Sequence, residues 1–154
     1  MKELELFKQQ LDLKVIEAEM KEHEPVEIPE THTFAGGVYI REIFIPAGTL
    51  IMGKRHRGKT CNILMKGELL LYVSEEDKPA HIKGPLVFES PANAKKLAFC
   101  LSDAVFMNIH PTEKTDLKEI EEEFIITEEE FEMLEGGNHA KLDENTGADR
   151  TNSE

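Results

Sequence analysis

The stretch Gly53-Lys-Arg-His-Arg-Gly58-Lys59-Thr60 gathers the most chemically suggestive side chains of the chain. Letter for letter it satisfies G-x-x-x-x-G-K-[ST]. In that pattern backbone N–H groups wrap phosphates, the lysine reaches the outer phosphates and the hydroxyl holds magnesium. The chemistry requires a strand before the pattern and a helix after it. Here Thr60 is followed by CNILMKGELLLYV, which meets Gly67 within two turns and continues as an apolar, β-rich run. No later strand ends in an aspartate within an alternating α/β context, as a magnesium-holding partner would. The sequence therefore predicts a coincidental match and no nucleotide hydrolysis.

The same residues can do other chemistry. Lys54, Arg55, Arg57 and Lys59 flank His56, and Lys95 and Lys96 form a second cationic pair further on. Converging Arg and Lys groups suit a carboxylate or phosphate, with Arg able to bind in bidentate fashion. The competing reading is an exposed loop whose cations pair with the many carboxylates of the chain. Nucleophilic catalysis has no support, because Ser74, Ser90 and Ser102 lie in turn sequences and none sits in a Gly-x-Ser-x-Gly elbow. Cys61 and Cys100, the only cysteines, read as two small buried side chains and not as a disulfide framework or zinc knuckle.

The elements that must position these groups can be read in order. Residues 2–23 predict an amphipathic helix with Leu4, Phe7, Leu11, Val15 and Ala18 on one face. Residues 24–37, containing His32, read as a linker fixed by Pro25 and Pro29 and broken at Gly36-Gly37. From Val38 the texture changes to seven short apolar runs: VYIREIFI, TLIM, CNILM, ELLLYV, PLVFE, KLAFCL and AVFMNIH. Turn signals separate them, and the gaps are too short for crossover helices. An antiparallel sandwich or barrel follows. After His110-Pro111 the pattern turns helical, with Thr127-Glu-Glu-Glu130 as a capping box and Gly136-Gly137 as a stop.

Pro46-Ala-Gly48, His56 and Gly67 together resemble the first cupin motif: a Pro-x-Gly turn, a histidine pair, a glutamate and a closing glycine. Pro91-Ala-Asn93 loosely matches the turn of the second motif. More narrowly, THTFAGGVYIREIFIPAGT, GK-x-H, NIL-x-KG and IHPTEKTDLKEIEEE resemble small single-domain cupins encoded by bacteriophages, over about residues 31–125. The resemblance implies a mainly β fold: an antiparallel cupin-type β-barrel or jelly roll with an N-terminal helix and C-terminal helices. It also implies metal ligands at positions 54, 56, 60 and near 96, where this chain carries Lys54, His56, Thr60 and Lys96. Only His56 can ligate, since a protonated lysine has no lone pair to give. No cofactor is expected. A divalent metal would need a rearranged set using His56 with His110 or His32.

One domain of 154 residues is thus expected, divided into an N-terminal helix and linker (1–30), a cupin-like barrel (31–112), C-terminal helices (113–137) and a disordered acidic tail (138–154). The net charge of −13 argues against nucleic-acid binding. It is unevenly spread, at −5 over residues 1–30, +3 over 31–110 and −11 over 111–154. Any anion site is therefore local to the centre. With no long apolar run and no secretory leader in the N-terminal residues, a cytoplasmic protein is expected (host cytoplasm if phage-encoded). The functional expectation is a non-enzymatic cupin-like homodimer. It binds a small anionic ligand or a protein partner through Lys54, Arg55, His56, Arg57, Lys59, Thr60, Lys95 and Lys96, with no membrane partner. The alternatives are a metal-dependent cupin enzyme with a rearranged ligand set and an interaction protein with an empty barrel.

Overall fold

The computed structural model describes residues 12–74 and 79–136. Helix α1 (Leu13–Lys21) begins at Asp12, whose carboxylate accepts from the backbone N–H groups of Lys14 and Val15. The strands are β1 (Glu30–Ala35), β2 (Val38–Ile45), β3 (Leu50–Met52), β4 (Arg55–His56), β5 (Thr60–Lys66), β6 (Glu68–Val73), β7 (Ala80–Lys83), β8 (Leu86–Ser90), β9 (Lys96–Cys100) and β10 (Ala104–Pro111). Helix α2 (Leu117–Phe124), strand β11 (Ile125–Ile126) and helix α3 (residues 128–136) follow.

Two main antiparallel sheets form among the described residues, with strand orders β1-β2-β10-β5-β8 and β3-β9-β6-β7, beside a two-stranded pairing of β4 with β11. This interleaving, in which chain neighbours β2 and β3, β5 and β6, and β9 and β10 fall in opposite sheets, is the double Greek key of a jelly roll. All seven apolar runs are strands. Hydrogen bonding among the described residues keeps the sheets separate, so the expected barrel is a sandwich of two facing sheets. Period-two alternation explains the packing. Ile43 and Ile45, Leu64, Leu69 and Leu71, Ala98 and Cys100, and Ala104 and Phe106 point between the sheets and form the main core. Leu97 and Phe99 face the other way and pack with Ile16 of α1. Strand β9 is therefore buried on both faces, which accounts for its unbroken KLAFC sequence.

Several expectations change. The linker over residues 24–37 contains β1, joined to β2 by a hairpin at Gly36-Gly37. Both glycines have positive φ, +57° and +77°, as a two-residue primed turn requires. The glycine pair connects two strands and does not simply end a segment. On α1 the face is also displaced. Ile16 is buried, with Leu13 and Met20 packed beside it, while Val15 is 65% exposed and Ala18 lies at the surface. Leu4, Phe7 and Leu11 fall outside the described residues, as do Gly137, His139 and the whole 138–154 tail. Cys61 is exposed on the outer face of β5, one residue out of phase with buried Thr60 and Asn62; only Cys100 is buried. No helix among the described residues is long and apolar enough to cross a membrane.

Candidate functional site

The inner faces of the strands change character along their length. In the five-stranded sheet, Ile43, Phe106, Leu64 and Leu86 form one apolar row across β2, β10, β5 and β8. The next row in register is Arg41, Asn108, Asn62 and Phe88, and beyond it Tyr39 pairs with His110. Two polar rows thus open one end of the sandwich into a cavity of about 380 Å3. Its apolar depth is lined by Ile43, Ile45, Leu69, Leu71 and Phe106.

Lys96 reaches this cavity from the opposite sheet. It is 8% exposed, and its Nζ meets Asn62 Oδ1 at 3.4 Å and Ser90 Oγ at 3.3 Å. Asn62 is held in turn by Asn108 Nδ2 at 2.7 Å, and it donates to Ser90 Oγ and to the carbonyl of Thr60, both at 3.2 Å. Every partner of this ammonium is neutral, and among the described residues no carboxylate lies within ion-pair distance of it. Burial pulls its pKa down to about 8.

His56 and His110 stand beside it, with ring centroids 5.3 Å apart. Burial, followed by the charge of Lys96, holds His56 at about 3 and His110 at about 4, so both imidazoles are neutral. His56 Nδ1 is buried without a hydrogen-bond partner among the described residues. An aromatic series continues from His110 to Tyr39 at 5.9 Å and from Tyr39 to Phe34 at 5.1 Å. Tyr39 Oη and His32 Nδ1 share a hydrogen bond of 2.8 Å.

The roof is α2. Its N-cap Asp116 accepts from the Glu119 N–H, which sets the helix phase. Leu117, Ile120, Glu121 and Phe124, at i, i+3, i+4 and i+7, then cover the cavity. Strand β11 pairs with β4, setting Ile125 opposite His56, and the Arg57 N–H donates to the Phe124 carbonyl at 2.8 Å. The strand that presents His56 is therefore the one that anchors the roof. At the rim Arg41 pairs with Glu30, and Lys54 with Glu121.

The cationic residues singled out from the sequence part ways here. Lys54, His56 and Lys96 line the cavity. Arg55 turns away, stacking over the Phe131 ring at 3.8 Å and meeting Glu128 at 3.2 Å. Arg57 pairs with Glu130 at 2.6 Å. Lys59 is exposed, and the Thr60 hydroxyl donates to the Gly58 carbonyl at 3.2 Å. Lys95 is held between Glu17 at 2.6 Å and Glu128 at 2.9 Å. The GKRHRGKT stretch runs through β4 into β5, with no helix after Thr60.

Sequence reasoning gave no weight to Tyr39, Arg41, Asn62 and Asn108, and little to His32, which lies on β1 and lines the cavity. The signal was present. Tyr39-x-Arg41, Thr60-x-Asn62 and Asn108-x-His110 are polar pairs at the inward phase of strands whose other inward positions are apolar.

A metal does not fit the donors present. Among the described residues no group of three or more His, Cys, Asp or Glu could hold a metal ion. The two neutral imidazoles also share their cavity with the Lys96 cation, and its lining carboxylates, Glu30 and Glu121, are paired with Arg41 and Lys54.

No family model matches the chain, and no curated protein matches it significantly. Solved structures do. An RmlC-like cupin family protein with a double-stranded β-helix fold from Methanocaldococcus jannaschii is 18% identical, with TM-score 0.44, covering 59% of this chain and 87% of that one. A cupin superfamily protein from Desulfitobacterium hafniense is 13% identical, with TM-score 0.47, covering 58% and 82%. KdgF from Halomonas sp. is 14% identical, with TM-score 0.46, covering 58% and 87%. These TM-scores lie below 0.5, and the fold stands on the strand order and register given above.

Proposed function

We propose that this chain is a cupin-like binding protein whose cavity takes a small organic anion with an apolar body. One observation carries the reading: the cavity floor holds a buried ammonium, Lys96, facing only neutral groups. At the rim Arg41 and Lys54 each have a carboxylate partner; among the described residues Lys96 has none. A bound carboxylate or phosphate would supply the missing counter-charge, in surroundings where such a contact is stronger than at the surface. The unpartnered His56 Nδ1 offers a second polar contact, and the Ile43, Leu71 and Phe106 surfaces accommodate a short hydrocarbon portion. Kinship with phage-encoded cupins and a homodimeric state belong to the same reading, the latter to be checked by light scattering.

Thermal shift against a panel of short mono- and dicarboxylates and phosphate esters tests the proposal. A ligand at a hundred times its Kd adds about 2.7 kcal/mol, which raises Tm by roughly 5–10 °C for a domain of this size. The shift is expected with the wild-type chain and lost in Lys96→Met, whereas Arg57→Ala retains it. If no anion in the panel raises the Tm of the wild-type chain, the reading fails.

A further inference from the structure

We propose that Lys96 captures carbonyl compounds: its Nζ forms a reversible imine with the aldehyde or ketone of a small carboxylate whose anionic end lies against Arg41. The proposal rests on the reading that this cavity takes a small organic anion; it specifies the ligand class and assigns the ligand's carboxylate to Arg41, with Lys96 meeting the carbonyl.

A lysine that forms imines needs a free electron pair, a dry pocket and room for the carbonyl carbon to approach. Lys96 is 8% exposed, lines the cavity and touches only neutral groups among the described residues. Its neighbours Asn62 and Ser90 accept at 3.3–3.4 Å, long enough to orient the amine without holding it as an ion pair. The adjacent Lys95 shows the contrast, since two carboxylates hold it at 2.6 and 2.9 Å in a structural contact between helices. With its pKa near 8, roughly a tenth of Lys96 is free amine at neutral pH, against less than a thousandth for an ordinary surface lysine. The apolar row beneath it and the α2 roof above limit water, which would hydrolyse the adduct.

Arg41 supplies the second anchor. It lies one strand from Asn108 and two from Asn62 in the same inner-face row, and its charge reaches both cavity histidines. Glu30 engages only its Nη2 among the described hydrogen bonds, which leaves guanidinium donors for a ligand carboxylate. The chemistry balances without a co-reactant. The amine pair attacks the carbonyl carbon, and a proton passes from nitrogen to oxygen to give a carbinolamine. Loss of water then leaves the C=N bond. Nothing is oxidised or reduced, and hydrolysis reverses the sequence.

The test is reductive trapping. The full-length chain is incubated with glyoxylate, 2-oxoglutarate or succinic semialdehyde and sodium cyanoborohydride at pH 7.5, and peptides are mapped by mass. At least tenfold more labelling is expected at Lys96 than at exposed Lys66, Lys83 and Lys118. Labelling should fall when 2-hydroxyglutarate, which cannot form an imine, is present, and in Lys96→Arg no label should appear at position 96. Labelling of Lys96 no greater than that of the exposed lysines overturns the proposal. If 2-hydroxyglutarate then still raises Tm, anion binding stands without imine formation. If it does not, and no other anion does, both readings fall.

Discussion

Lys95 and Lys96 are consecutive and both buried, yet they reach opposite faces of the same sheet. Lys95 leaves toward α1 and α3, where Glu17 and Glu128 neutralise it. Lys96 leaves toward the facing sheet and meets only Asn62 and Ser90. The alternation of a strand sends one ammonium into a latch between helices and the other into a cavity. Two identical side chains thereby acquire different partners, one ion-paired and one among neutral groups.

The unpaired amine should be visible in stability. The folded pKa of Lys96, about 8, lies below the ordinary 10.5, so the unfolded chain holds this proton more tightly than the folded one. The penalty is full below pH 8 and is relieved as pH rises through 8 towards 10.5. It amounts to about 3 kcal/mol. Lys96→Met should therefore melt higher than wild type at pH 7, with the gap closing by pH 10. Paired thermal melts across that range check this, and a variant less stable than wild type at pH 7 would contradict it.

His56 and His110 predict the acid limb. Both are held neutral in the fold, at about 3 and about 4, against 6.5 when unfolded. The unfolded chain takes up protons first, so stability is full above pH 6.5 and is lost as pH falls toward 4 and then 3. His56→Gln and His110→Gln should each flatten the fall of Tm between pH 6.5 and 4. Equal slopes in wild type and both variants would show that the rings are not buried as described.

Arg55 should matter for stability and not for ligands. Its guanidinium stacks on Phe131, donates to the Asn93 carbonyl at 2.8 Å and pairs with Glu128. Arg55→Ala should cost about 1–2 kcal/mol in urea unfolding while leaving anion-induced thermal shifts unchanged. A lost shift with unchanged stability would place Arg55 in the site instead.

Gly67 joins β5 to β6 at φ +104°, and a Cβ there would lie 2.7 Å from Ala104 Cα, Ala104 Cβ and the Asp103 carbonyl oxygen. The obstructing atoms are largely backbone and cannot swing aside. Gly67→Ala should destabilise by at least about 2 kcal/mol, seen as a lower urea midpoint at unchanged m-value. A midpoint within error of wild type would refute the packing.

The seven apolar runs and their turns determined the fold class, because strand periodicity and short gaps are local properties that leave an antiparallel sandwich or barrel; sheet closure is not local and was decided by the tertiary structure. The Thr127 cap is similarly local, and its hydroxyl accepts from the Glu130 N–H at 3.1 Å. The β1 strand was less legible. ETHTFA carries little apolar pattern, and its hairpin signal rested on Gly36-Gly37 alone.

The site was only half legible for a different reason. A run of cations draws attention by composition, and composition does not say which way each side chain leaves the backbone. Arg55, Arg57 and Lys95 are claimed by carboxylates of α1 and the α3 region, contacts between segments up to 78 residues apart. Arg41, Asn62, Asn108 and His110 come from three strands, and only sheet register aligns them. What the sequence alone determined is that a mainly β antiparallel fold would form and that cations gather at residues 54–59 and 95–96. Tertiary structure decided which of the buried cations stands without a carboxylate among the described residues, because pairing depends on what packs across the gap and not on what adjoins in the chain.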